Sequence, residues 1–125
     1  MTHPVRAAIE ARDLDALAAQ FSDDIVFNSP VAFHPFVGRG AVVEVLANVL
    51  EVFRDFTYVD ELAGEGSHGL VFTAKVGERA VEGLDHLRLD ADGLVREFTV
   101  MVRPLSGLIA LAEAMGPRVA HLAKG

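Results

Sequence analysis

A chain of 125 residues with 51% hydrophobic and 23% charged side chains can bury a core without staples and is not a disordered polymer. It contains no cysteine, which excludes disulfides, thiolate catalysis and thiolate-held metal. A net charge of −7 repels phosphate backbones and so argues against a nucleic-acid partner.

The first residues, MTHPVRAAIEARDLD, are charged early and lack the apolar centre of a signal peptide. No apolar run approaches the ~18 residues of a membrane span. A soluble, cytoplasmic protein with one domain over residues 1–125 is expected. Residues 4–21 place Val5, Ala8, Ile9, Leu14, Leu17, Ala18 and Phe21 near one stripe, which predicts a helix. Asp13-Leu14-Asp15 offers the alternative of a cap that splits this segment in two. Ser22-Asp23-Asp24 reads as a break, and Ile25 to Asn28 as a short strand. The loop SPVAFHPFVGRG, residues 29–40, holds two prolines and two phenylalanines and reads as ordered, or as a short hairpin. A helix follows over residues 41–53.

The period then switches to two. Strands are expected at about residues 56–62, 69–76, 80–89 and 94–103, separated by glycine-bearing turns. Tight turns between neighbours predict an antiparallel meander. Leu105, Leu108, Ala112, Met115, Val119 and Leu122 predict a last amphipathic helix, with Gly116-Pro117 as a kink or break. Helices segregated to one side of a curved antiparallel sheet make an α+β cone with an extra C-terminal helix. The mouth of such a cone is a natural small-molecule pocket. The last helix would close that mouth or simply cover sheet surface.

One residue stands out in this pattern. In GLDHLRLDADG, strand alternation puts Asp85 on a face with Val81, Gly83, Leu87 and Leu89. A carboxylate there is either a pocket acid whose pKa burial raises, or an edge or bulge residue satisfied by arginine or backbone. Gly83 permits such a bulge. His86, Arg88 and Glu82 point the other way, to a solvated or dimer-forming face.

ARDLDALAAQFSDDIVFNSP followed by VGRGAVVEVL, together with GLDHLRLDADGLVREF, resembles the nuclear-transport-factor-2-like superfamily over nearly the whole chain. By local pattern it is most similar to ketosteroid isomerases and SnoaL-like polyketide cyclases. In ketosteroid isomerases an aspartic acid in the corresponding "D-H-x-R" strand stays protonated and donates a hydrogen bond to the developing oxyanion. The resemblance puts Asp85 at that position. It puts the isomerase general base at Ser29 and the oxyanion tyrosine at Val5, so neither of those groups carries over. A serine hydroxyl is too weak a base to take a carbon-bound proton unaided. The limonene-epoxide-hydrolase branch shares the fold, but its last-strand aspartate would fall near Val100 and no Asp–Arg–Asp set is visible.

The candidate catalytic residues are therefore Asp85, as acid or oxyanion donor, and His34, as a base or ligand-orienting group in the rim loop. Asn28 and Ser29 flank the base position, and strand-end turn chemistry explains them equally well. Phe27, Phe33, Phe36, Phe72, Phe98 and Val100 are candidate pocket walls, with ordinary core packing as the competing explanation. Tyr58 reads as an exposed strand tyrosine, though it is the one phenol that could replace the missing donor. The five histidines are scattered, so no metal is expected, nor any cofactor. The expectation is a pocket for a small apolar molecule, in a homodimer packed through the sheet's outer face. One version is an isomerase, cyclase or lyase working through enol(ate) chemistry. The other is a non-catalytic binding or dimerisation module whose pocket its own side chains fill.

Overall fold

The computed structural model describes residues 2–122. Helix α1 spans Pro4–Ala11 and α2 spans Leu14–Ala18. The single helix over residues 4–21 is therefore not formed; the capped, split alternative is. Arg12 ends α1 in the left-handed region at φ 54°, and the Asp13 carboxylate accepts the Ala16 N–H to start α2. Strand β1 covers Phe21–Asn28, four residues earlier than Ile25. Its register against the neighbouring strand shifts between Phe21 and Val26, which leaves Asp23 and Asp24 exposed inside a strand rather than breaking it.

Strand β2 is the short pair Phe36–Val37, and α3 runs Arg39–Val52. Then come β3 (Arg54–Gly64), β4 (Ser67–Val76), β5 (Arg79–Leu89) and β6 (Val95–Arg103). The sheet order is β2-β1-β6-β5-β4-β3, curved and unclosed. All neighbours are antiparallel except β1 and β6, which run parallel and are separated in the chain by α3 and the four strands β2 to β5. The β5–β6 turn follows its sequence: Asp90 Oδ1 accepts the Asp92 and Leu94 N–H groups, and Gly93 supplies φ 84°.

Helix α4 runs Leu105–Val119 and continues through Pro117, so Gly116-Pro117 does not break it. It buries Gly107, Leu111 and Met115. At its C-terminal end Arg118 joins α3, donating to Glu51 Oε1 at 2.6 Å and Asn48 Oδ1 at 3.2 Å. The core fills the space between the concave sheet face and the helices. Phe21, Phe27, Phe72 and Phe98 are its largest fully buried side chains.

Gly83 does not mark a bulge. The β4–β5 pairing runs unbroken from Ser67↔Arg88 to Val76↔Arg79. Its missing side chain serves packing instead: a Cβ there would lie 2.1 Å from Cζ of Phe72. Gly83→Ala is expected to destabilise the fold by about 1–3 kcal/mol, the usual cost of overpacking. Urea denaturation checks this, and the loss should shrink in a Phe72→Leu background, where no ring occupies that space.

Candidate functional site

Three strands align a row of side chains on the concave face. Leu70 of β4 pairs with Asp85 of β5, which pairs with Val100 of β6. Asp85 thus sits mid-sheet between two apolar neighbours and is 5% exposed. One register step away, Tyr58 of β3 pairs with Phe72 of β4, which pairs with Gly83 of β5. The Phe72 ring lies in the space that Gly83 leaves open. Across it the Tyr58 hydroxyl donates to Asp85 Oδ2 at 2.7 Å. Among the described residues this is the carboxyl's only hydrogen bond.

Burial penalises the ionised form and pushes the Asp85 carboxyl up to about 7, while the bond from Tyr58 pulls the other way. Burial also raises the Tyr58 phenol above its ordinary value, and the nearby Asp85 charge and hydrogen bond add to that. The result is a neutral phenol donating to a carboxyl that changes protonation near physiological pH.

Both groups face one cavity. Its other walls come from Ile9 of α1, Phe27 of β1, Pro30, the α3 residues Leu46, Val49 and Leu50, Phe53, Phe56, Phe72, Val100 and Leu111 of α4. Every other lining side chain is apolar, so Tyr58 and Asp85 are the polar groups there. The space open to the centre of a water molecule is about 40 Å³. That admits a few waters and lies well below the ~300–1,000 Å³ of ligand pockets.

The candidates from the sequence separate clearly. Phe27, Phe72, Val100 and Asp85 line the cavity. Phe36 and Phe98 are buried in the core and do not line it. Phe33 is 94% exposed, so its place in a pocket wall is corrected. His34 is exposed in the same loop with its ring edge-on to Phe33, and the structure does not bring it to the cavity. Asn28 reaches Glu97 Oε2 at 3.0 Å and Thr99 Oγ1 at 2.9 Å, away from the concave face. Ser29 Oγ accepts the Val31 N–H at 3.1 Å, an ordinary turn bond. Val5 is fully buried in the core.

Sequence reasoning missed Tyr58 as an inward residue. The β3–β4 register shifts between Tyr58 and Asp60, so the strand changes face within the expected alternation. Phe56 two residues earlier, also partly buried and lining the cavity, is the signal that pointed the right way.

The comparisons with known proteins agree with this architecture. The model of the SnoaL-like domain matches residues 5–98. The chain belongs to the SnoaL-like family. A steroid delta-isomerase from Pseudomonas aeruginosa is 46% identical, with a TM-score of 0.86, over 93% of this chain and 86% of that one. An uncharacterised protein with a cystatin-like fold from Silicibacter pomeroyi is 31% identical, with a TM-score of 0.88, over 94% of this chain and 83% of that one. A candidate SnoaL-like polyketide cyclase from Shewanella denitrificans shares the fold, with a TM-score of 0.66 at 14% identity, over 89% of this chain and 93% of that one. Among the described residues of this SnoaL-like chain, no group of three or more histidine and acidic side chains is placed to hold a metal ion. No described helix is long and apolar enough to cross a membrane.

Folding takes up a proton at Asp85 between its ordinary value of 3.8 and its folded value of about 7. The native state then binds more protons than the unfolded one, so this contribution is full below pH ~4 and is lost as pH rises through about 7. Urea midpoints measured across that window should fall in the wild type. Asp85→Asn should flatten the slope; an equal slope in both proteins would assign it to other groups.

Proposed function

We propose that this chain binds a small, mostly apolar molecule through one enol, phenol or β-dicarbonyl oxygen seated against Asp85 and Tyr58, and promotes cofactor-free enol(ate) chemistry of the isomerase or cyclase kind. The observation that carries this is the 2.7 Å Tyr58–Asp85 bond on the wall of an otherwise apolar cavity. Fixed donors in a water-poor site stabilise negative charge developing on a ligand oxygen far better than water does. With the Tyr58 hydroxyl donating to its Oδ2, protonated Asp85 is such a donor through its own O–H. Asp85 holds its proton below about pH 7, where donation is needed.

The wall offers no second carboxylate and no histidine. That favours ligands that are already acidic at carbon or oxygen over plain ketones, whose carbon-bound proton needs a stronger base. The similarity to a protein named as a steroid delta-isomerase supports the reaction class.

The small cavity favours a second reading, in which Leu111 of α4 and the α3 side chains fill the pocket and the chain is a non-catalytic binding or dimerisation module. The two differ in one measurement. A naphthol and naphthalene, titrated by their own fluorescence, have nearly the same shape and differ in one oxygen. The enol reading expects wild type to prefer the naphthol, and Asp85→Leu to weaken naphthol about tenfold or more, ~1.4 kcal/mol, with naphthalene unchanged. Tyr58→Phe should weaken it in the same direction. An Asp85→Leu protein that is more stable and treats both probes as wild type does would establish the second reading.

We further propose that the convex sheet face packs against a second copy. A shallow groove there is lined by Val71, Leu84, Met101 and Val102, with Glu82 and Arg103 on its rim. Leu62 and Met101 are each more than half exposed. The ion pairs Arg88–Glu97 and Arg103–Glu82 place both signs of charge beside the groove, which suits a self-complementary two-fold contact. Met101→Lys should shift sedimentation from dimer towards monomer at the same protein concentration.

A further inference from the structure

The cavity wall carries no cation, yet one packs directly behind its phenol. The Arg6 guanidinium of α1 lies 5.7 Å from the centroid of the Tyr58 ring, within cation–π range. It is held there from two sides: Nε lies 3.2 Å from Glu10 Oε2, and Nη1 lies 3.2 Å from Glu61 Oε1. Glu61 is itself fixed, accepting the His3 backbone N–H at 2.8 Å and facing His68 Nε2 at 2.6 Å. The Tyr58 ring is packed edge-on against Phe56, with centroids 4.9 Å apart, and Arg6 meets it too. The hydroxyl can then point to Asp85.

We propose that Arg6 is a positioning residue for the Asp85–Tyr58 site, one that also biases the site towards the anionic form of its ligand. This rests on the enol reading above and extends it to ligand charge. The electrostatic argument is one of balance. Charged groups facing Tyr58 are Arg6 and Glu10 from α1 and Asp85 from β5, with Glu61 bound to Arg6 from β3 itself. Remove Arg6, and Glu10 loses its ion pair beside the phenol while Glu61 keeps only its His3 and His68 contacts. Their field then opposes charge growing on a ligand oxygen seated beside the Tyr58–Asp85 pair. With Arg6 present, one of those two negative charges is offset at the phenol.

The test uses naphthols graded in acidity by ring substituents, with naphthalene as the uncharged reference. In the wild type, affinity rises with naphthol acidity. Arg6→Met, which keeps most of the side chain's bulk, is expected to flatten that rise. It should weaken the most acidic naphthol about tenfold and leave naphthalene unchanged. Arg6→Lys restores the slope, since it keeps the charge, and Glu10→Gln in the Arg6→Met background restores part of it. Tyr58 is the only tyrosine in a chain without tryptophan, so the near-ultraviolet signal reports its packing in each variant. Equal losses for naphthols and naphthalene, or an unchanged slope in Arg6→Met, would overturn the proposal while leaving the enol reading intact. A wild type that shows no preference for naphthols over naphthalene overturns both.

Discussion

A carboxyl group buried mid-sheet with a single phenol for a partner constrains most of what surrounds it. Taking Asp85 out of water penalises its charged form, and one hydrogen bond from Tyr58 offsets only part of that. To deliver the phenol, β3 must turn Tyr58 inward and β5 must leave room for the Phe72 ring that lies between them. Gly83 provides that room, two residues before the carboxyl it serves. Phe72 in turn stacks on Phe56 with centroids 4.9 Å apart and tilts against Phe53 at 5.4 Å, closing the aromatic side of the cavity. Keeping a carboxyl at this position, rather than an apolar side chain, therefore carries a desolvation cost.

The same scaffold can reach a similar site by different routes. The resemblance to ketosteroid isomerases put a phenol on the first helix, where this chain has Val5, and that valine is simply core. Here the phenol comes from β3 and meets the carboxyl across one strand. The base position ends in a turn, with Ser29 Oγ taken by the Val31 N–H. What remains on the cavity wall is a phenol–carboxyl pair with no second carboxylate and no histidine beside it. Membership of the SnoaL-like family fixes the frame and leaves that chemistry to the side chains.

Helix α4 joins these features to access. Leu111 contributes to the cavity wall, while Gly107 lies so close to β5 that a Cβ would meet Val81 Cγ1 at 2.3 Å. Arg118 ties the far end to α3. The helix therefore covers the sheet and also lends one side chain to the cavity wall.

Local periodicity was enough to locate α3, α4 and the four long strands, because burial on one face imposes a period of 3.6 or two whatever the partner is. It also put Asp85 on the concave face, since β5 keeps an unbroken alternation from Val81 to Leu89. What it could not supply depended on register between distant segments. Read straight through, alternation puts Tyr58 on one face with Asp60 and Leu62; the shift against β4 after Tyr58 separates them and turns the phenol inward. Likewise, charge made Asp23-Asp24 look like a break, and only pairing with β6 makes it strand. The sequence alone determined that a carboxyl would lie among apolar neighbours. Tertiary structure decided that a phenol would reach it, that His34 would stay outside, and that the space around the pair would be small, because each depends on how separate strands and helices meet.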